Sequence, residues 1–302
     1  MSKYQTLISV EELMALQRGN ALQMLFDCSF DLMKPEAGVS QYRDLHIAGA
    51  VYANLDTDLS AKHGVPGARG EVVVAQADEG PPASGGRHPL PSREKFAAWL
   101  SSIGFANNMQ AVVYDRNGAN YCGRLWWMLK WMGHEAVAVL DGGLAAWQRA
   151  GGAPVTDPAT PRPVAPPYPD RAPLTTSVDA DAIVRRLGSL RVLDARAPER
   201  FRGEIEPIDA VAGHIPGALN RFHRANLGAD GRFKPAAQLR AEYATLLGGA
   251  DASTIAHQCG SGVTACHNLL AMEQAGLTGS ALYPGSWSEW SADPARPIAR
   301  GG

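Results

Sequence analysis

The chain repeats itself. AVVYDRNGANYCGRLWWMLKWMGHEAVAVLDGGLAAW, residues 111–147, returns in outline as TIAHQCGSGVTACHNLLAMEQAGLTGSALYPGSWSEW, residues 254–290. With Asp115 set against Cys259, Gly118 meets Gly262 and Cys122 meets Cys266; one gap later Gly142 meets Gly285 and Trp147 meets Trp290. Upstream, LFDCS (25–29) answers VLDAR (192–196), and HIAGA (46–50) answers HIPGA (214–218). A repeat this long is a duplicated domain and not a solenoid period, so one fold must be built twice within the 302 residues.

Between the copies lies GGAPVTDPATPRPVAPPYPDRAPLT, residues 151–175, which carries eight prolines and little that builds a core. Proline fixes φ and favours extended chain, so this stretch reads as a semi-rigid linker joining domains at 1–150 and 176–302. In each half, short apolar runs alternate with segments of helical periodicity. LRVLDAR, STIAHQC, AVVYD and EAVAVLDGG read as buried strands. AAQLRAEYATLL, ACHNLLAMEQAG, REKFAAWLSSIGF and GRLWWMLKWMG read as helices. That alternation predicts an α/β fold in each half, a mostly parallel sheet flanked by helices, with ligands beyond the carboxyl ends of the strands.

The net charge of −2 and the lack of a clustered Lys/Arg face argue against a nucleic-acid partner. The start MSKYQTLISVEELMAL lacks an apolar signal core, and no run of eighteen apolar residues occurs, so neither secretion nor a membrane partner is expected and a cytoplasmic location follows. Four cysteines in such a chain fit reduced thiols better than a disulfide framework. No metal-ligand spacing and no nucleotide-binding glycine fingerprint appears, so neither a metal nor a cofactor is expected.

The chemistry concentrates in Cys259-Gly260-Ser261-Gly262-Val263-Thr264. Glycines open backbone conformations that let successive amides face inward as an anion nest, beside the N-terminus of a helix expected near Ala265. Such a cradle suits a nucleophilic thiolate. Asp115 stands at the matching place in the other half, so one copy holds a nucleophile and the other does not. A cysteine phosphatase would need an arginine six positions on, where this chain has Ala265. Cys266, matched by Cys122, reads as a small core residue.

The duplication, HIPGA preceded by DARAPERFRGEIEP, and CGSGVTAC together resemble the tandem-domain sulfurtransferases of the rhodanese superfamily over about residues 5–295. Within it, CGSGVTAC resembles the loop of the 3-mercaptopyruvate sulfurtransferases, whereas the thiosulfate-preferring enzymes typically carry two basic residues, as in CRKGVTAC. The resemblance implies two tandem rhodanese-like domains and a sulfane sulfur carried by Cys259 as a persulfide, from a small-molecule donor to cyanide or a thiol acceptor such as thioredoxin. Thiosulfate:cyanide sulfurtransferase is the alternative, and a persulfide-relay or redox-sensing partner protein is the alternative of a different class.

The resemblance also implies a proton relay of Ser261, His88 (in GGRHPLP) and Asp56 (in VYANLDTDLS), with both helpers from the first half and the site in a cleft between the halves. Asp58 adjoins Asp56 as a competing carboxylate. Loop residues Gly260, Gly262, Val263 and Thr264 would cradle the sulfur, and Arg200 would bind the donor carboxylate. The family's second arginine should follow Glu-Pro, but this chain has Ile208 there; either donor binding weakens or Arg202, Arg221 or His223 compensates. Arg196 reads as a strand-end structural residue, and Asp194 and Asp27 as carboxylates tying loops through amides. Residues 62–91, which end beyond His88, are expected to overhang the cleft; Trp126, Trp127 and Trp131 read as packing, and His257 is left open.

Overall fold

The structure, a computed structural model, describes residues 3–19, 21–61, 81–156 and 160–302. The chain divides into two compact units, one of Met1–Ala83 with Leu90–Leu174 and one of Ser84–Pro89 with Thr175–Gly302. Most of the 62–91 stretch, residues 62–80, falls outside the described residues.

In the first unit the elements run β1 (Leu7–Ile8), α1 (Val10–Arg18), β2 (Gln23–Asp27), α2 (Pro35–Asp44), β3 (His46–Ile47), β4 (Ala50–Tyr52), α3 (Arg93–Ser102), β5 (Gln110–Tyr114), α4 (Cys122–Trp131), β6 (Val137–Leu140), α5 (Gly143–Arg149) and β7 (Pro154–Val155). Local chemistry sets several boundaries. Ser9 and Glu12 form a reciprocal capping box that starts α1, and Pro35 starts α2 where its missing N–H costs nothing. Among the described residues the main sheet has five strands in the order β1-β6-β5-β2-β4, all parallel. Its central strand β5 is buried on both faces, which is why AVVY shows no polar alternation.

The second unit runs β8 (Thr176–Ser177), α6 (Ala180–Arg185), β9 (Arg191–Asp194), α7 (Pro198–Phe201), β10 (Leu219–Asn220), α8 (Ala236–Leu247), β11 (Ile255–Gln258), α9 (Ala265–Gln274), β12 (Ala281–Leu282) and α10 (Ser286–Trp290). Its parallel five-stranded sheet has the order β10-β9-β11-β12-β8. Read from the other edge, this is the order of the first unit strand for strand, so the duplication seen in the sequence is a duplication of topology.

Details recur as well. Ser29 N–H donates to Asp27 Oδ1 at 2.8 Å, and Arg196 N–H donates to Asp194 Oδ1 at 2.9 Å, so each aspartate closes the turn after its strand. His46 stacks on Tyr42 (centroids 4.1 Å apart) with Nδ1 2.7 Å from the Tyr42 carbonyl oxygen. His214 does the same with Phe201, at 3.9 and 2.8 Å. The core of the first unit gathers Ile8, Val112, Leu140 and Trp147; that of the second gathers Ile183, Val192, Ala256, Trp287 and Trp290. Trp126, Trp127 and Trp131 are buried.

The proline-rich stretch is less free than a linker reading implies. Its described part up to Leu174 belongs to the first unit, where Tyr168 is buried, stacks on Phe105, and has its hydroxyl 2.8 Å from His134 Nδ1. One aromatic ring supplies the apolar burial that the prolines lack.

Candidate active site

Cys259 follows β11, the central strand of its sheet, and Asp115 follows β5, the central strand of the other. The first unit shows what this position does. The Asp115 carboxylate accepts four amides: Asn117 and Ala119 on Oδ1 at 2.9 Å each, and Tyr121 and Cys122 on Oδ2 at 2.9 and 3.0 Å. The loop after the central strand is therefore an anion receptacle, filled in this unit by the side chain at its own mouth. In the second unit the residue at that position is Cys259, which is buried.

The Cys259 loop is held from behind by α10. Trp287 N–H donates to the Cys259 carbonyl at 3.1 Å and Ser288 N–H to the Gly260 carbonyl at 2.9 Å. Gly262 has φ +74, as does Gly118, and a Cβ there would collide with the Pro284 carbonyl oxygen, so only glycine fits. Beyond this point the loops differ, since Ala119 is left-handed at φ +62 and Val263 does not share that conformation. Val263 is buried, and Thr264 precedes the first turn of α9.

A further contact had no local signature. Ser286 Oγ accepts the Cys259 amide at 3.1 Å and donates to the Tyr283 carbonyl at 2.9 Å. It does so from φ +54, a left-handed conformation unfavourable for a side chain; Gly143, its counterpart, has φ +56. Pairing Gly142 with Gly285 would have exposed a serine where the other half has glycine.

His88 Nδ1 lies 2.7 Å from Ser261 Oγ, and both side chains are buried. The contact exists because Ser84–Pro89, from the first half of the sequence, belongs to the second unit. Ala83 N–H donates to the Leu90 carbonyl at 2.9 Å and closes the base of this excursion. Arg87 N–H donates to Ser288 Oγ at 3.0 Å, and Gly86 (φ +86) sits where a Cβ would strike the Gly285 carbonyl. Asp56 is buried in the first unit, its amide donating to Asn54 Oδ1 at 2.8 Å.

Arg200 stands beside the loop, its Nη atoms 3.7 and 3.8 Å from where a Gly260 Cβ would lie. Its Nη2 donates to Glu206 Oε1 at 2.6 Å and lies 3.3 Å from Asp209 Oδ2. Burial pushes the Glu206 carboxyl up, but Arg200 and the amides of Asp209 and Ile208 outweigh this and hold it below the ordinary glutamate value. Arg87, which sequence reasoning missed, reaches the same place: its Nη2 is 3.1 Å from that Cβ position, and its Nη1 pairs with Asp209.

The other candidates for that role are engaged as follows. Arg202 is bound to Glu204 (2.6 Å), Arg221 to Glu242 and Asn226, and burial holds His223 neutral, with its pKa near 4 and Nδ1 3.1 Å from the Ala195 carbonyl oxygen. Arg196 is a buried strut, paired with Asp194 and stacked over Trp287. His257 is buried 3.2 Å from Ser280 Oγ. Burial and then the Asp115 charge push the Cys122 thiol well up, and burial does the same to Cys28.

Residues 9–150 and 179–293 match the family model of the rhodanese-like domain, once in each half. The chain belongs to the rhodanese family. A Pseudomonas aeruginosa protein bearing the provisional name 3-mercaptopyruvate sulfurtransferase is 43% identical over 281 residues, 92% of each chain. A Mycobacterium tuberculosis protein with the provisional name thiosulfate sulfurtransferase SseB is 37% identical over 98% of each chain. The solved structure of 3-mercaptopyruvate sulfurtransferase from Leishmania major superposes with a TM-score of 0.77 at 30% identity, covering 95% of this chain and 74% of that one. Among the described residues no helix is long and apolar enough to cross a membrane.

Proposed function

We propose that this rhodanese-family protein is a sulfurtransferase that takes the thiol sulfur of 3-mercaptopyruvate onto Cys259 and passes it to cyanide or a thiol acceptor such as thioredoxin. Residues 176–302, with the excursion through His88, form the catalytic domain in this reading, and the first domain lacks a nucleophile. None of the four cysteines is joined in a disulfide among the described residues, which suits a reducing compartment such as the cytoplasm.

The Cys259 thiolate attacks the donor sulfur. The S–S bond forms as the C–S bond breaks, its electron pair passing into the enolate of pyruvate. The donor's thiol proton must then reach the enolate carbon, leaving a persulfide anion and pyruvate. Amides of Gly260, Ser261, Gly262, Val263 and Thr264 receive the anionic sulfur, as the opposite loop receives the Asp115 carboxylate. Ser261 and His88 carry the proton, with Asp56 as the carboxylate of the relay. Arg200 holds the donor carboxylate. Thiosulfate needs no such proton, because sulfite leaves as a stable dianion.

The observation that carries the choice of donor is the 2.7 Å contact between His88 Nδ1 and Ser261 Oγ, a proton path next to the nucleophile. Comparing kcat/KM for the two donors tests it. Mercaptopyruvate is expected to be preferred, and Ser261→Ala or His88→Asn should slow its turnover about 10²–10⁴-fold while affecting thiosulfate less. Equal losses with both donors would refute the proton role. Thiosulfate is the second reading, favoured by the two guanidinium groups beside Gly260.

A further inference from the structure

The chain lacks an arginine at Ile208, yet two guanidinium groups converge on Gly260, the residue after the nucleophile. Arg87 Nη2 and Arg200 Nη2 lie 3.1 and 3.7 Å from the point where a Gly260 Cβ would stand. Like charges this close repel unless countercharges hold them. Asp209 is shared between them, one oxygen paired with Arg87 Nη1 and the other 3.3 Å from Arg200 Nη2, while Glu206 grips Arg200 from the side. Glu206 also meets Arg196 Nη1 at 3.3 Å, and Arg87 Nη2 and the Arg200 Nη atoms remain beside the loop.

Arg87 is also held and underused. Its amide is fixed to Ser288 Oγ at 3.0 Å, and Ser288 N–H in turn holds the Gly260 carbonyl at 2.9 Å, so the backbones of Arg87 and Gly260 are tied through one residue. Among the described residues its Nε is buried without a hydrogen-bond partner. A buried guanidinium N–H left unbonded is costly, and an anion bound there would relieve that cost. Its neighbour in sequence is His88, which meets Ser261.

We infer that Arg87 is the second anchor for the carboxylate of an α-keto acid donor, taking from a distant segment the role that Ile208 cannot fill. This rests on the mercaptopyruvate reading above. Arg87 and Arg200 grip the carboxylate across Gly260, and His88 of the proton relay arrives on the same six-residue excursion as the anchor. Glycine at 260 leaves the space these side chains occupy; a larger residue would crowd Arg87.

Steady-state kinetics with mercaptopyruvate on the full chain tests this. Arg87→Gln and Arg87→Ala should raise KM at least tenfold while kcat changes much less, since a carboxylate is held equally in ground and transition states. The inhibition constant of pyruvate should rise in parallel, and Arg87→Lys should fall between, because an ammonium offers charge without a planar fork. An unchanged KM in Arg87→Gln would overturn the assignment, as would a loss confined to kcat or a KM rise confined to thiosulfate. If instead wild-type protein gains no sulfur on Cys259 by intact mass, it is the sulfurtransferase reading that fails.

Discussion

Ser286 Oγ receives the amide proton of Cys259 at 3.1 Å from a left-handed backbone that the chain gives to glycine in its other half. A non-glycine residue at φ +54 carries strain of roughly 1–3 kcal/mol, offset here by bonds to Cys259 and Tyr283. Ser286→Ala keeps the strain and loses both bonds, whereas Ser286→Gly loses the bonds and the strain together. The glycine variant should be the more stable of the two by about 1 kcal/mol in chemical denaturation. Both should form the Cys259 persulfide more slowly in rapid-mixing experiments, because the loop backbone loses a fixed point. An alanine variant as stable as the glycine variant would show that the backbone relaxes.

Asp115 offers a test of the receptacle in the unit where a carboxylate stands at the position of Cys259. Asp115→Asn is nearly isosteric, but its amide group turns a donor toward two of the four N–H groups now bound. Charge-assisted bonds contribute about 1.5–3 kcal/mol each and do not simply add, so a loss of about 3 kcal/mol is expected. Denaturation midpoints at pH 7 would read it, and a change below about 1 kcal/mol would mean that the loop holds its shape without the anion.

The thiols should separate cleanly. Cys259→Ser should abolish the mass gain of one sulfur on incubation with donor. Cys122→Ser and Cys266→Ser should leave it largely intact, since both side chains are fully buried and Cys122 is pushed away from ionisation. A Cys259→Ser protein that still gains sulfur and turns over would remove the nucleophile from the mechanism.

Acid should destabilise the fold before its carboxylates titrate. Burial lowers His134 and His223 to about 4 and His257 to about 3. Unfolded, each binds a proton near pH 6.5, so the unfolded chain holds more protons between pH 6.5 and 4 and stability falls as pH drops through that window. Each histidine contributes about 2 kcal/mol of loss by pH 5. Glu242 adds its share lower down: burial opposes ionisation, but Arg221, Lys234 and Gln238 outweigh it and hold the carboxyl near 2, so its contribution is lost only below its unfolded value. Denaturation midpoints recorded from pH 7.5 to 5 should fall steadily. A flat profile down to pH 5 would show that these rings are protonated in the folded protein.

Much of this molecule is local, and local features are legible in a chain. The helix expected over AAQLRAEYATLL runs over Ala236–Leu247, because apolar spacing acts within a few turns. The duplicated strand order follows from two copies of one pattern, and the Cys259 loop declares itself through the glycines that its turns demand. Arg87 and Ser286 do not declare themselves. The first pairs with Asp209 across 122 positions of sequence and the second holds an amide 27 positions away, and no property of either neighbourhood points to its partner. The six-residue excursion that brings Arg87 and His88 to the loop has neither helical nor strand periodicity to announce it. Hydrophobic period and backbone preference are decided residue by residue, so the sequence determined the two sheets, their helices and the turn after Cys259. Charge pairing depends on distance in space, and only the tertiary structure brought Arg87 and Arg200 together beside Gly260.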